Sequence, residues 1–269
     1  MAAIEPTSSF RLGLLGAGRL AQSLAKTWHA RTGEGLLVWS RNDTQTRVAQ
    51  GTWVSEWSKV LEARSIMIAI PGKAILDLAE QSDEAKQFTG NVFSAAASLS
   101  RESLQRVFPQ ATIICVSPFL INNFDSIPML VLLPSDLPAA QWEKAKAELD
   151  DFGPIDVVGD EEIFADMSLL GASWAAVVMS ALESAARAGV QGFQDEATIG
   201  LGRRLFFRGL LSLLTNHAEQ HSSGEPSESG EIATPGGITE RGLKTLGDMT
   251  SPFESVFNQM RARAKELRA

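Results

Sequence analysis

An apolar run from Phe10 to Leu15 passes straight into Gly16-Ala17-Gly18-Arg19-Leu20-Ala21, and Gln22 to Ala30 continues with helical character. A strand that feeds a tight turn and then a helix has to send that helix back over a sheet, so the next strand lies parallel to the first. The residue types narrow the choice further. The spacing is G-x-G-x-x-A, in which the first glycine permits the tight turn, the second lets the backbone approach a pyrophosphate, and a small third residue lets helix and strand pack closely. Gly16, Gly18 and Ala21 stand at those three places, with Ala17, Arg19 and Leu20 between them. A chance glycine turn is the plain alternative, and the strand-to-helix setting favours a dinucleotide site.

The next strand, Leu36 to Trp39, should end beside the adenosine ribose of such a ligand. An NAD-binding chain usually places Asp or Glu there to accept from the ribose 2′-hydroxyl. Here the residues are Ser40-Arg41-Asn42. A guanidinium can grip a 2′-phosphate with two charge-assisted hydrogen bonds, and the missing carboxylate removes a repulsion. The expectation is NADP(H) in preference to NAD(H), with Arg41 as a merely solvated loop residue the alternative.

Further apolar strands follow at Ser65 to Ile70, Asn91 to Ala97, Thr112 to Val116, Met129 to Leu133 and Ile155 to Val158, the last two separated by a helical segment from Ala139 to Asp151. Uniformly apolar strands alternating with helices indicate an α/β fold with a parallel sheet covered on both faces. Ligands of such sheets bind at the carboxyl ends of the strands. Pro71, Ala95 to Ala97 and Ser117-Pro118 are expected there, with Ile70, Pro71, Ala95 and Ala96 against the cofactor.

After Gly159 the strands stop, and helical stretches at about 161–188, 195–220 and 251–268 take over, with a shorter helix after Thr239. The boundary predicted at that point divides a Rossmann dinucleotide-binding domain, 1–159, from an all-helical dimerisation and substrate domain, 160–269. Leu205, Phe206, Phe207, Leu210, Leu211, Leu213 and Leu214 carry more apolar surface than one layer of helices buries alone, which predicts a homodimer through the C-terminal helices. Met167 to Leu182, uncharged between Asp166 and Glu183, is shorter than the roughly 20 apolar residues of a membrane span and is read as a buried helix. A net charge of −8 with no Lys/Arg run argues against nucleic acid or an anionic membrane as partner. The single cysteine, Cys115, and an N-terminus without the regions of a signal peptide suit the cytoplasm.

A second glycine turn lies in Gly230 to Leu246, GEIATPGGITERGLKTL. An extended approach ends at Thr234, Pro235-Gly236-Gly237 break it, and a helix begins near Thr239. Several unpaired N–H groups then point one way at a helix N-terminus, which suits a carboxylate or phosphate. A plain loop with a Thr cap fits the same stretch. Other chemistry is scarce. His217 and His221 are four apart but lack an evident third ligand, so no metal is expected. The chain has no Tyr, and His29 falls in the first helix. Carbonyl reduction needs a proton donor, whereas a protonated imine needs only hydride and a grip on the substrate.

These residues resemble pyrroline-5-carboxylate reductases, through GAGRLA at 16–21, WSRN at 39–42, SAAAS at 94–98 and TPGGIT at 234–239, which is similar to the family's (S/T)PGG-x-T signature; ALESAARAGV at 181–190 is similar to the first long helix of its C-terminal domain. The resemblance implies a Rossmann domain followed by a helical dimerisation domain, and NAD(P)H-dependent reduction of the small-molecule imino acid 1-pyrroline-5-carboxylate to proline. It implies that Thr239 bonds the substrate nitrogen, and that Thr234 with the N–H groups of Gly236, Gly237 and Ile238 holds the carboxylate. Three segments depart from the family pattern. Ile70-Pro71 replaces Lys-Pro, Ser117-Pro118-Phe119 replaces Met-Pro-Asn, and Gly171-Ala172-Ser173-Trp174-Ala175-Ala176-Val177 replaces Ser-Gly-Ser-Gly-Pro-Ala-Tyr. Phe119 and Trp174 are expected to make the substrate side more apolar. A reductase of a bulkier imine or carbonyl compound, and a dinucleotide-binding sensor without catalysis, remain open beside the leading reading.

Overall fold

The computed structural model describes residues 9–41, 48, 50–80, 82–96, 99–119, 126–220 and 250–266, with backbone alone at 172, 213–220 and 250. The chain divides into two compact units, Met1–Ser173 with Arg261–Ala269, and Trp174–Met260.

The first unit is built on an eight-stranded sheet: β1 Leu12–Leu15, β2 Leu36–Trp39, β3 Gly51–Trp53, β4 Ser65–Ile68, β5 Asn91–Ser94, β6 Thr112–Pro118, β7 Met129–Leu132 and β8 Ile155–Val158. Their order across the sheet is β3-β2-β1-β4-β5-β6-β7-β8. The helices between them are α1 Arg19–Thr32, α2 Gly72–Ala79, α3 Asp83–Gln87, α4 Arg101–Val107 and α5 Ala139–Asp150, with a tight helical turn at Trp57–Glu62.

The uninterrupted apolar runs are explained by burial on two faces. Neighbouring residues of β4 show it: Met67 joins one core with Leu24 and Trp28 of α1 and Leu149 of α5, while Ile66 and Ile68 join a second core with Val60, Ile75 of α2 and Leu104 of α4. Successive side chains of a strand point to opposite faces, so a strand sandwiched between two helical layers has no place for an alternating polar residue.

The sheet is mixed rather than wholly parallel as the sequence suggested. β6 and β7 pair antiparallel, from Cys115↔Leu132 to Pro118↔Met129, and β7 then pairs parallel with β8. The reason lies in the connections. Only 119–128 links β6 to β7, too short for the crossover a parallel pair needs, whereas α5 supplies that crossover between β7 and β8.

Among the described residues the last strand ends at Val158, and the helical run that follows comprises α6 Glu161–Ser168, a wider turn at Leu169–Trp174 and α7 Ala175–Gly189. α6 nevertheless belongs with the sheet, packing on β7 and β8, so the division between compact units falls at 173/174 rather than at Gly159. Arg261 ties the later helix α9, Thr250–Glu266, to α6 through Asp166 at 2.9 Å. In the second unit α7 packs on α8, Glu196–Gln220. Trp174 lies edge-on to Phe253 and Phe257, at 5.6 and 5.4 Å between centroids.

Met167 to Leu182 was read as a buried helix, and within the chain it is not one. Among the described residues of α6 and α7 Ala186 alone is buried, and Met167 and Met179 stay 43% and 45% exposed. Leu205 and Leu211 of α8 are 57% and 65% exposed. By length and composition the run Glu161–Gly189 could cross a membrane, and none of its most apolar part is buried inside the chain.

Candidate functional site

β1, β2, β4, β5 and β6 run parallel, so their carboxyl ends share one edge of the sheet. β1 has β2 on one side and β4 on the other, which makes the gap beyond β1 and β4 the point where the strand order reverses and where ligands of such sheets bind. The turn after β1 forms one side of that gap, and Ala69 to Pro71 after β4 the other.

Gly16 is buried and has φ 123°, a conformation L side chains rarely adopt. Its N–H donates to the Trp39 carbonyl at 2.8 Å, tying the turn to β2. A Cβ here would stand 2.6 Å from the Ala69 carbonyl oxygen and 3.2 Å from Ile70 Cγ2, so the two turns touch. Gly18 is the opposite case. Its φ of −69° and ψ of −178° suit any residue, and a Cβ would meet nothing within 4 Å. Among the described residues nothing covers Gly18.

Gly18 is also the cap of α1, and no side chain caps that helix or supplies an acid in its first turn. The first helical bond is donated by Gln22 N–H to the Gly18 carbonyl, which leaves the N–H groups of Arg19, Leu20 and Ala21 aimed out of the helix. Those donors and the helix dipole favour an anion. Gln22 adds a contact the sequence reading overlooked: its Nε2 donates to the Ala17 carbonyl at 2.9 Å and braces the turn from inside. Ala21 is fully buried in the core beneath, where a larger side chain would push α1 off the sheet.

Ser40 is half-buried and Arg41 exposed after β2, and no carboxylate pairs with Arg41 among the described residues. Pro71 caps α2, and Ile70 packs on the second core. After β5, Ala95 N–H donates to the Ile68 carbonyl at 3.0 Å and the buried Ser94 Oγ accepts from Ala96 N–H at 3.4 Å. The structure therefore brings the residues from 16–21, 40–41, 70–71 and 95–96 to one edge. Asn42 lies outside the described residues, as do Thr234, Gly236, Gly237, Ile238 and Thr239, and with them the second glycine turn and His221. Cys115 is buried within β6, and His29 sits in the last turn of α1, where Nδ1 is 3.2 Å from the Glu34 carbonyl.

Phe119 and Gly171 appear in the sequence as separate departures, and the structure joins them. A Cβ on Gly171 would stand 2.3 Å from Phe119 Cε1 and 2.6 Å from Cζ, so the ring lies against the glycine. Trp174 begins the second unit and packs there edge-on against Phe253 and Phe257. No local signal could have paired positions so far apart in sequence. A glycine inside a helical run is the one hint of a close neighbour.

No protein-family model matches the sequence, and no curated protein matches it. The fold, by contrast, has solved counterparts over nearly the whole chain. It is similar to the Plasmodium falciparum pyrroline carboxylate reductase structure with NADP bound, with a TM-score of 0.76 and 15% identity over 97% of this chain and 99% of that one. The pyrroline-5-carboxylate reductase of Coxiella burnetii gives 0.74 and 16% over 97% and 100%. An imine reductase from Myxococcus stipitatus in complex with NADP+ gives 0.56 and 17% over 95% and 93%. At these identities the likeness is one of fold.

Proposed function

We propose that this chain, with the fold of those reductases, is an NADPH-dependent reductase of a cyclic imino acid, with 1-pyrroline-5-carboxylate to proline the leading reaction, working in the cytoplasm as a homodimer. The observation that carries the proposal is the turn at Gly16 to Ala21, strained where it must bend and open where a phosphate would lie, over an uncapped helix N-terminus. The chemistry that NADPH supplies when bound is a hydride to the imine carbon, with oxidation to NADP+, while the imine nitrogen takes a proton and becomes the amine.

The roles of this chain's residues follow from their chemistry. The N–H groups of Arg19 to Ala21 hold the pyrophosphate. Arg41 grips the 2′-phosphate, and Ser40 and Asn42 complete that turn. Ile70, Pro71, Ala95 and Ala96 give the cofactor an apolar seat at the strand ends. On the family resemblance, Thr234 and the N–H groups of Gly236, Gly237 and Ile238 hold the substrate carboxylate, and Thr239 bonds its nitrogen. Charge-assisted hydrogen bonds are worth about 1.5–3 kcal/mol each, enough in number to orient so small an acid.

Two expected results test the assignment. Arg41→Ala should weaken NADPH binding about 10²-fold or more, the loss of two such bonds, and leave NADH within about twofold; equal losses for both, in fluorescence titrations, would remove this account of Arg41. In the second test, 1-pyrroline-5-carboxylate is the substrate and oxidation of NADPH is followed by its absorbance. The wild type should turn over, and Thr239→Ala should lower kcat about 10²-fold with NADPH affinity unchanged. NADPH binding without turnover on any cyclic imine would favour a sensor instead.

The homodimer rests on the exposed apolar faces of α7 and α8, since Met179 of α7 is 45% exposed in the single chain and Leu201 and Leu205 of α8 are 49% and 57% exposed. A second copy suits these faces better than lipid does. Asp166 is held by Arg261, and Glu183 and Arg187 interrupt the apolar run, leaving an uncharged stretch shorter than a bilayer requires. Light scattering on the assayed sample should give twice the chain mass; a monomer would remove the dimer.

A further inference from the structure

β6 is longer than its neighbours. Its last pair with β5 is Ser94↔Cys115, yet the strand continues through Val116, Ser117 and Pro118, paired there with β7 alone. Three residues at about 3.3 Å each carry it about 10 Å beyond the level at which β5 stops. Phe119 extends the ladder once more, its N–H donating to the Pro128 carbonyl at 2.8 Å. Phe119 therefore stands above the ends of the neighbouring strands as a side wall. Its backbone is fixed by the sheet and its ring by Gly171.

The ring is only partly buried. One edge of it lies on Gly171, at a distance no side chain at 171 would tolerate, and the remainder adds apolar surface to an edge otherwise lined by Ala95, Ala96 and Pro71. Gly171 lies in the widened turn Leu169–Trp174, and such single wide turns inside helices occur often at functional sites. The ring at 119 and the absence of a side chain at 171 are two halves of one feature. An aromatic wall offers a substrate no hydrogen bond, so it rewards an apolar group and leaves a polar one unpaired.

Resting on the reading of this edge as the site of imine reduction, we infer that Phe119 is a specificity-determining residue and Gly171 the position that makes room for it. The substrate class is a cyclic imino acid that carries an apolar substituent at or beside the C=N carbon. Hydride adds to that carbon and the proton to nitrogen as in the parent reaction, with NADPH again the reductant.

The test compares 1-pyrroline-5-carboxylate with its 2-phenyl derivative as substrates for the full chain. The wild type should prefer the phenyl compound in kcat/KM by about tenfold or more, in the range one apolar group in a fitted pocket provides. Phe119→Asn should cancel that preference while NADPH affinity, read by fluorescence, stays unchanged, and Phe119→Leu should keep most of it. Gly171→Ala should displace the ring and move the ratio the same way, and adding it to Phe119→Asn should change nothing further. A ratio unmoved by Phe119→Asn, or additive effects of the two substitutions, would overturn the inference. If the wild type reduces neither compound, binding of the two corresponding products, 5-phenylproline and proline, to the NADP+-loaded protein decides. A preference for the phenyl-substituted proline that Phe119→Asn removes supports the wall even though the reductase reading has failed, and equal binding ends both.

Discussion

Gly18→Asp is expected to abolish binding of NADPH and NADH alike, by about 10³-fold, without lowering the melting temperature. The stability half follows from the backbone. At φ −69° and ψ −178° an Asp is unstrained, and its Cβ meets nothing within 4 Å. Asp is moreover among the best residues at the cap of a helix, and α1 has no side-chain cap of its own, so the variant should melt at the wild-type temperature or slightly above it. The binding half follows from charge. A carboxylate beside a phosphate, about 4 Å away at an effective dielectric of about 20, costs about 4 kcal/mol, which is about three decades of affinity. Isothermal titration beside a thermal melt reads both halves. Dinucleotide affinity kept within tenfold would mean that the N-terminus of α1 is not where the pyrophosphate lies. The contrast with Arg41→Ala is useful, because that substitution should separate the two coenzymes and this one should not.

What the sequence conveyed depended on how local the cause was. β2 and β8 were legible to the residue, since a run of apolar residues between turn formers is a local fact, and the helix after Gly18 was legible in kind, though it runs Arg19–Thr32 where Gln22 to Ala30 was expected. β3 escaped notice because Gly51–Trp53 is a three-residue edge strand whose pattern is no different from a loop's. The reversal at β7 depends on a connection length, and length was in plain view; the uniformly apolar character of β7 pointed the other way, because burial on both faces produces the same pattern in either direction. The exposure of Met167 and Met179 could not be read from composition, which records that a surface is apolar but not what covers it, whereas that of Leu205 and Leu211 agrees with a face too apolar for one helical layer to bury. Of the candidate site, the motif residues were legible because a glycine turn advertises its backbone. The Phe119–Gly171 contact was not, being a fact of tertiary packing between residues with no shared pattern.

Gly16→Val is the complementary case, and the expected result is loss of stability by about 3–5 kcal/mol. At φ 123° a β-branched residue is in a region it avoids, a cost of about 1–3 kcal/mol. The added Cβ would also stand 2.6 Å from the Ala69 carbonyl oxygen, backbone that belongs to the turn after β4 and cannot rotate away, and forced overpacking costs about 1–3 kcal/mol more. The Gly16 N–H bond to Trp39 would be bent or broken as the turn shifts. Against a total stability of about 5–15 kcal/mol this is a large fraction, and a fall in melting temperature of about 10 °C or more is expected, with chemical denaturation giving the free energy directly. A fall of less than about 2 °C would mean that the turn has another conformation and that β1 and β4 are not bound together through it. The pair of substitutions separates two reasons for a glycine. At Gly16 the requirement is set by the fold, because two strand-end turns meet there whether or not a ligand is present. At Gly18 nothing in the protein requires it, since the space is open and the backbone ordinary, so a loss of dinucleotide binding there without loss of stability would assign that open space to the ligand.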